Sequence, residues 1–386
     1  MEAVDRKIQS VQLSLLIGPA SPSPVSREVL DALAEVEVQV QDTEASGFQL
    51  TFSIEKRSPL QILFLLTGGV PLLFIRVVLV VTVNGASSVL IDGVVTHNQY
   101  SPGDKGSNST LTLTGKDLTA LMDQDERSGF PYPSSKPEDR ISQMLARYAV
   151  FGIKTHICKP LISIADHNTH RIPGQQGTDL AYIRLLAQQV GYVFYLKPGP
   201  NPGDSTAYWG PQNKTGAVQP ALSADMDAYT NVESLSFSVD QEQNRKPLVI
   251  TSSGEDGAAV TISIPAASPL NPPLGKVPPK AANILGDLIP FRDDLAKLPV
   301  GRALMMGLAA VARNTEVVTC DGSLDVTRYG GVLMPRQLVA VRGSRQAFDG
   351  LYYVQSVTHK IKRGEYKQNF KLTRDGLGTT LQQVTV

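Results

Sequence analysis

The first third of the chain reads as strands, in places with apolar and polar residues alternating at a period of two. Residues 36–40 (VEVQV) alternate, Gly47 interrupts, and residues 48–54 (FQLTFSI) alternate again. That period places successive side chains on opposite faces of a strand. The run RVVLVVTV that starts at Arg76 closes on Asn84-Gly85, a hairpin signal because both residues tolerate positive φ. Residues 89–96 (VLIDGVVT) return as the partner strand, 101–109 form a polar loop, and 111–114 restart a strand. Short strands joined by Gly, Asn and Ser turns predict a sandwich or a closed barrel.

The period then changes. Residues 137–150 (PEDRISQMLARYAV) space Ile141, Leu145 and Tyr148 as a helix does, with Pro137 and acidic residues at the start. Residues 178–191 carry the clearest helical pattern. Thr178 and Asp179 are placed to cap its start and Gly191 to end it, and the strand YVFYL follows. Residues 197–220, rich in Pro, Gly and Asn, read as loop.

From Val232 the alternation returns in VESLSFSVD, LVITS and AAVTISI. Residues 265–280 carry six prolines and read as a semi-rigid connector. Residues 292–313 are compatible with a helix that Pro299 breaks or restarts. The last hundred residues are strands again: VLMPRQLVAVRG, then 350–360, then 366–373, with KRGE as the turn between the last two. Strand-rich ends around a helical middle suggest two similar all-β units with insertions.

Composition narrows the function classes. With 386 residues the chain exceeds a single compact core, so two or more domains are expected. Apolar residues make up 42% and charged residues 19%, an ordinary globular balance. Thirty-six basic residues match 36 acidic ones, so the basic excess of a nucleic-acid binder is missing, and little self-repulsion opposes assembly. Cys158 and Cys320 lack any disulfide or CxxC spacing and read as buried thiols in a reducing compartment. The N-terminus lacks signal-peptide features, so synthesis in the cytoplasm is expected. Residues 60–83 are long enough to span a bilayer. Gly68-Gly69, Pro71 and a central Arg76, which costs about 2.5–3.5 kcal/mol in a membrane, favour two strands around a turn instead.

Few residues are spaced as chemistry would require. Asp166, His167 and His170 offer metal-ligand types but no closed spacing, and Pro173-Gly174 marks a loop. Cys158 with His156 and His167 lacks the setting of a nucleophile and reads as packed. Asp92-Gly93 and Asp349-Gly350 read as turn pairs. Asp123, Asp125 and Glu126 lack the spacing of a calcium loop. No phosphate-binding loop, dinucleotide fingerprint, GxSxG or HExxH occurs. No catalytic residue, cofactor or metal is expected.

Three passages carry a resemblance. GLYYVQSVTHKIKRGEYKQNFKLTRDGLG (350–378) holds Gly350, Tyr352, Tyr353, Val357, His359, Tyr366, Phe370 and Arg374. TLTGKDLTALMD (112–123) leads a strand into a helix, and TDLAYIRLLAQQVGYVFYL (178–196) pairs a helix with a strand. Taken in order, with DGSLDVTRYGGVLMPRQLVAVRG (321–343), they resemble the baseplate-hub family of contractile tails. That family comprises late control protein D of phages and the hub portion of VgrG spikes. The passage 321–343 points towards the hubs of extracellular injection systems.

The resemblance implies a mainly β fold with α/β insertions and two tube-like antiparallel β-barrels per chain. The expected divisions are a first barrel at 8–118, an α/β insertion at 119–230, and a second barrel at 231–264 and 315–378. A Pro-rich connector and helical insertion (265–314) would interrupt the second barrel, and a tail would follow at 379–386. It further implies a structural, non-enzymatic homotrimer that adapts a three-fold spike to a six-fold inner tube. The spike would sit on one face and the tube on the other, with other baseplate proteins around, and neither nucleic acid nor a membrane span involved. No needle follows Val386, so the spike is expected to be a separate protein. The eight hairpin residues are expected to be structural. Two other functions stay open: a cell-wall hydrolase with its site on 119–230, and a spike-like cargo binder. A carbohydrate-binding β-protein is disfavoured by a single Trp and 6% aromatics.

Overall fold

The computed structural model describes residues 11–54, 75–103, 108–163, 172–240, 248–253, 259–264, 270–277, 291–292, 298–313 and 316–380. The expected strand at 60–74, His167, His170 and most of the Pro-rich connector lie outside the described residues.

The first part of the chain forms β1 (Val11–Gly18), β2 (Ser23–Pro24), α1 (Arg27–Ala32), β3 (Leu33–Gln41), β4 (Gly47–Ile54), β5 (Arg76–Val83), β6 (Ala86–Ser101) and β7 (Ser109–Asp117). The β5–β6 turn is the predicted Asn84-Gly85, with φ of 51° and 84°. Asp117 then caps a short 3-10 helix, Leu118–Asp123. After it come α2 (Pro137–Ala146), β8 (Ile153–Ile157), α3 (Asp179–Val190), β9 (Val193–Pro198) and β10 (Ser205–Gly210). The α3 ends are those predicted: the Thr178 hydroxyl accepts from the Ala181 N–H at 3.2 Å, and Gly191 closes the helix in the left-handed region. The remainder comprises β11 (Val218–Ser223), β12 (Ser234–Val239), β13 (Leu248–Ser253), β14 (Ala259–Ile264), β15 (Gly275–Val277), β16 (Phe291–Arg292), α4 (Val300–Arg313) and β17 (Val318–Asp325). It ends with α5 (Val326–Tyr329), β18 (Leu338–Arg342), β19 (Gly350–Lys362), β20 (Glu365–Arg374) and β21 (Leu377–Thr379). The α4 helix starts immediately after Pro299, which accounts for the shorter helix than 292–313 allows.

The fold is mainly β, with most strands antiparallel and an α/β insertion. Thirteen strands form one sheet in two runs of identical logic. The first reads β3-β4-β7-β6-β5-β1, the second β12-β17-β20-β19-β18-β11. Ranked along the chain, corresponding strands occupy corresponding places. One irregularity agrees: a register shift between Val95 and His97 where β6 meets β7 matches one between Val354 and Ser356 where β19 meets β20, whereas the shifts in β3–β4 and β5–β6 have no counterpart in the second run. One strand departs, since β1 runs antiparallel to β5 while β11 runs parallel to β18. The expected internal similarity is therefore present as strand order and register.

Closure of each run into its own barrel is not shown. Among the described residues neither run closes on itself. The runs join where β3 pairs with β19, from Gln41 opposite Ser356 to Glu35 opposite Lys362. β19 makes this possible by its length of 13 residues. Its first residues pair with β18 and its last with β3 along the sheet. One apolar core accordingly draws on both runs, including Val38, Leu50 and Leu79 of the first and Cys320, Val354 and Val357 of the second. β11, within residues 119–230, pairs with β18 of the large sheet.

The insertion has its own core. Its sheet, β8-β10-β9, packs α2 and α3 through Met144, Ile183, Phe194 and a fully buried Trp209. Separately, α4 packs on β13 and β14 through Ala303, Ile250 and Ile264. No helix among the described residues is long and apolar enough to cross a membrane.

Candidate functional site

The C-terminal hairpin places all eight resemblance residues in the interior: Gly350, Tyr352, Tyr353, Val357, His359, Tyr366, Phe370 and Arg374 are all buried. Their contacts show what burial secures. Arg374 lies 4.4 Å from the Tyr352 ring centroid and donates to the carbonyls of Asp349 (3.0 Å) and Ala347 (2.8 Å). The Tyr352 hydroxyl donates to the Phe348 carbonyl at 2.8 Å, so two long side chains hold the loop before β19. A Cβ on Gly350 would come within 2.9 Å of Thr379 and 3.1 Å of Arg374, which explains the glycine. Phe370 lies across the bare backbone of Gly322 on the neighbouring strand. Val357, opposite Phe370, fills the shared core.

His359 and Tyr366 form the polar centre of the hairpin. His359 Nδ1 is 2.8 Å from the Tyr366 hydroxyl and 3.3 Å from Gln368 Nε2. Gln368 also grips the backbone of Leu333, donating to its carbonyl and accepting from its N–H. Burial pushes the imidazole down to about 3, so the ring is neutral and its Nδ1 acts as an acceptor. Burial also raises the Tyr366 phenol, keeping it a donor.

Where the insertion meets the seam of the two runs, a second buried cluster assembles. Arg336 Nη1 donates to the Leu196 carbonyl (2.8 Å), while Nε and Nη2 donate to the Gln41 carbonyl (3.2 and 2.6 Å). The same guanidinium lies 3.8 Å from the Tyr195 ring centroid. One side chain thus ties together the β3–β4 turn, strand β9 and the segment before β18. Asp42 accepts from Gln212 at 2.9 Å, and Lys214 pairs with Glu316 at 3.3 Å. Burial, aided by nearby Glu316, pushes the Asp42 carboxyl up to about 6. Burial also raises Asp117, which accepts from the Ser46 and Thr119 N–H groups at 3.1 Å each. A cavity of about 510 Å³ opens beside this cluster. Along it His156 stacks on Tyr208 (5.4 Å) and Tyr208 on Tyr195 (4.9 Å).

A third buried contact corrects the reading of Asp92-Gly93 as a turn. Both residues lie inside β6, and Asp92 receives Arg76 in a two-pronged ion pair of 2.7 and 2.6 Å. Arg76 also donates to the Ala20 and Gly203 carbonyls, and Ser205 donates to Asp92 at 3.1 Å. The arginine that argues against a membrane span is thus spent on joining the first run to the insertion.

The remaining candidates do not converge. Asp123 accepts from the Thr178 hydroxyl at 2.7 Å. Cys158 packs against the insertion core, and burial pushes the Cys320 thiol up to about 12. Among the described residues no three His, Cys, Asp or Glu side chains gather as a metal site would require. Asp42 and Arg336 carry no local sequence signal, since Arg336 and Gln41 are 295 positions apart. An arginine in an otherwise apolar strand was the one legible sign of the Arg76 pair.

Comparison with known proteins agrees with this fold. Neither a family model nor a curated protein matches the chain. Among solved structures it is similar to a tail protein from Neisseria meningitidis MC58, with TM-score 0.61 and 13% identity over 95% of this chain and 98% of that one. A 43 kDa tail protein of prophage MuSo2 from Shewanella oneidensis gives 0.59 and 12% over 94% and 98%. A chain of the Francisella PdpA-VgrG complex gives 0.54 and 9% over 98% of this chain and 55% of that one. The chain has the fold of these tail and VgrG-complex proteins along nearly its whole length.

Proposed function

We propose that this protein is a structural baseplate hub of a contractile injection machine, non-enzymatic, working as a homotrimer between a three-fold spike and a six-fold inner tube. The observation that carries this reading is the doubled strand order with its matching register shift. A chain holding two like units presents six like units when three copies assemble, which reconciles a three-fold partner with a six-fold one. In this reading each run of the large sheet is a tube-like barrel unit, and the eight buried hairpin residues are scaffold, with Arg336 and Arg76 fixing the insertion. The likeness to tail proteins across nearly the whole chain supports the same reading.

The test is the mass of the purified chain by light scattering, alone and mixed with the spike of its own machine. A species of three 41.6 kDa chains that binds the spike is expected. A chain that stays monomeric even with the spike would overturn the hub reading.

A further inference from the structure

The repeated register matches two sheet edges that no described strand covers. β12 ends the second run. Its outer edge has no strand partner among the described residues, and its sequence SLSFSV carries neither the charge nor the proline that protects exposed edges. In the first run, β6 pairs with β5 through Val94 and continues to Ser101 with β7 along its other side. Among the described residues no strand covers the side of 99–101 that faces away from β7.

Equivalent positions follow from the pairings. The register shift fixes His97 opposite Thr114 as the counterpart of Ser356 opposite Lys371. Across the sheet, Thr114 leads to Gln49 and then Glu37. Lys371 leads to Asp321 and then Ser236. Glu37 and Ser236 therefore hold the same place in the two runs. Within the chain Glu37 pairs with Lys360, four positions past Ser356, and four positions past His97 is Ser101. We infer that β12 of one copy pairs antiparallel with residues 99–101 of a second copy, Ser236 opposite Ser101, Phe237 opposite Tyr100 and Ser238 opposite Gln99. This inference names the copy-to-copy surface and rests on the trimeric reading only for the number of copies.

The chemistry of the edges agrees with that register. Tyr100 is 43% exposed, although its neighbour Leu111 on the same face is fully buried. Phe237, half-buried, stands opposite the buried Cys320 on β17. Both rings thus belong to the core side of the sheet and meet in the proposed seam. Their internal counterparts, Val38 and His359, are 0% and 1% exposed. The two seams also differ in kind. The internal one sets Glu37 opposite Lys360 and holds Lys362 3.1 Å from Glu35, whereas the copy-to-copy one meets through hydroxyl, amide and aromatic groups. Pairing of one edge with a different edge is head-to-tail, so repeated pairing generates a ring when the rotation closes.

Disulfide cross-linking of the full chain tests this. Ser101→Cys with Ser236→Cys, on a Cys158→Ser background that leaves the buried Cys320 in place, is oxidised and run with and without reductant. Light scattering on the same sample gives the mass. Reducible species of two and three chains are expected from the double variant, and none from either single variant. The pair Ser101→Cys with Ser234→Cys lies two positions off register, beyond the roughly 7 Å Cα separation a disulfide spans, and is expected to cross-link at least five-fold less. A three-chain mass without the Ser101–Ser236 cross-link overturns this seam and leaves the hub reading standing. Register-specific cross-links with a closed size other than three support the seam and overturn the trimer. A monomer without cross-links overturns both.

Discussion

The guanidinium of Arg336 lies 3.8 Å from the centre of the Tyr195 ring and spends its donors on the carbonyls of Gln41 and Leu196. These partners belong to the first strand run and to the insertion, while Arg336 itself precedes β18 of the second. Burial lowers the arginine's proton affinity, but neighbouring Tyr195 and Asp117 oppose that shift. Three parts of the chain therefore meet on one planar cation.

Replacing that cation is expected to loosen all three parts together. Arg336→Ala leaves two buried carbonyls without their donor and costs about 3–5 kcal/mol, the range for removing one partner of a buried charged network. Arg336→Lys keeps the charge but loses the fork, so a smaller loss of about 1–3 kcal/mol is expected. Urea denaturation gives the magnitudes, and hydrogen exchange localises them. Faster exchange confined to β18, with β9 and the β3–β4 turn unchanged, would refute the clamp.

The neutral His359 predicts acid sensitivity. The unfolded chain takes up a proton near pH 6.5, whereas the native ring refuses it until about 3. Between those values the unfolded state binds more protons, so stability present above pH 6.5 is lost as pH falls, by up to about 1.4 kcal/mol per unit. His359→Gln keeps an acceptor near Tyr366 and removes the titration. The variant is expected to lose less stability than the parent between pH 7 and pH 5, read as the shift in urea midpoint.

Asp42 acts in the opposite sense. Its native carboxyl holds a proton up to about 6, against 3.8 in the unfolded chain. Its relative contribution is thus fully present below 3.8 and lost as pH rises through 6. Asp42→Asn removes the buried charge and its repulsion by Glu316, and is expected to stabilise the protein by about 1–3 kcal/mol at pH 8. At pH 3.5 the two proteins should have the same denaturation midpoint. A variant less stable than the parent at pH 8 would show that the ionised carboxylate is needed.

Much of this fold is legible locally. The alternation in FQLTFSI, the Asn84-Gly85 turn and the Thr178 and Gly191 caps each depend on neighbours within a few positions, and each forms as the pattern predicts. What the pattern cannot convey is pairing at a distance. Nothing near residue 38 announces that it will face residue 359, so the shared seam and the core that spans both runs stay hidden. The buried polar groups share that limitation, because Asp42, Gln212 and Glu316 read as ordinary solvated residues until three segments converge on them. The eight hairpin residues are legible for a different reason. They sit on two strands joined by a tight turn, where sequence spacing and register coincide.

The Arg76–Asp92 pair gives the sharpest test of how the insertion is held. Its side chains are 5% and 1% exposed, and its two contacts are 2.7 and 2.6 Å. Removing Arg76 strands a carboxylate that, among the described residues, Ser205 alone still serves; removing Asp92 strands a guanidinium that retains two carbonyls. Each single alanine variant is expected to cost about 3–5 kcal/mol, most of it the penalty of the charge left behind. The double variant leaves no charge behind, so it is expected to cost about as much as one single change. A coupling of about 3 kcal/mol in the double-mutant cycle would follow. Strictly additive losses in urea midpoint would mean that the two side chains act separately, Arg76 through the Ala20 and Gly203 carbonyls and Asp92 through Ser205.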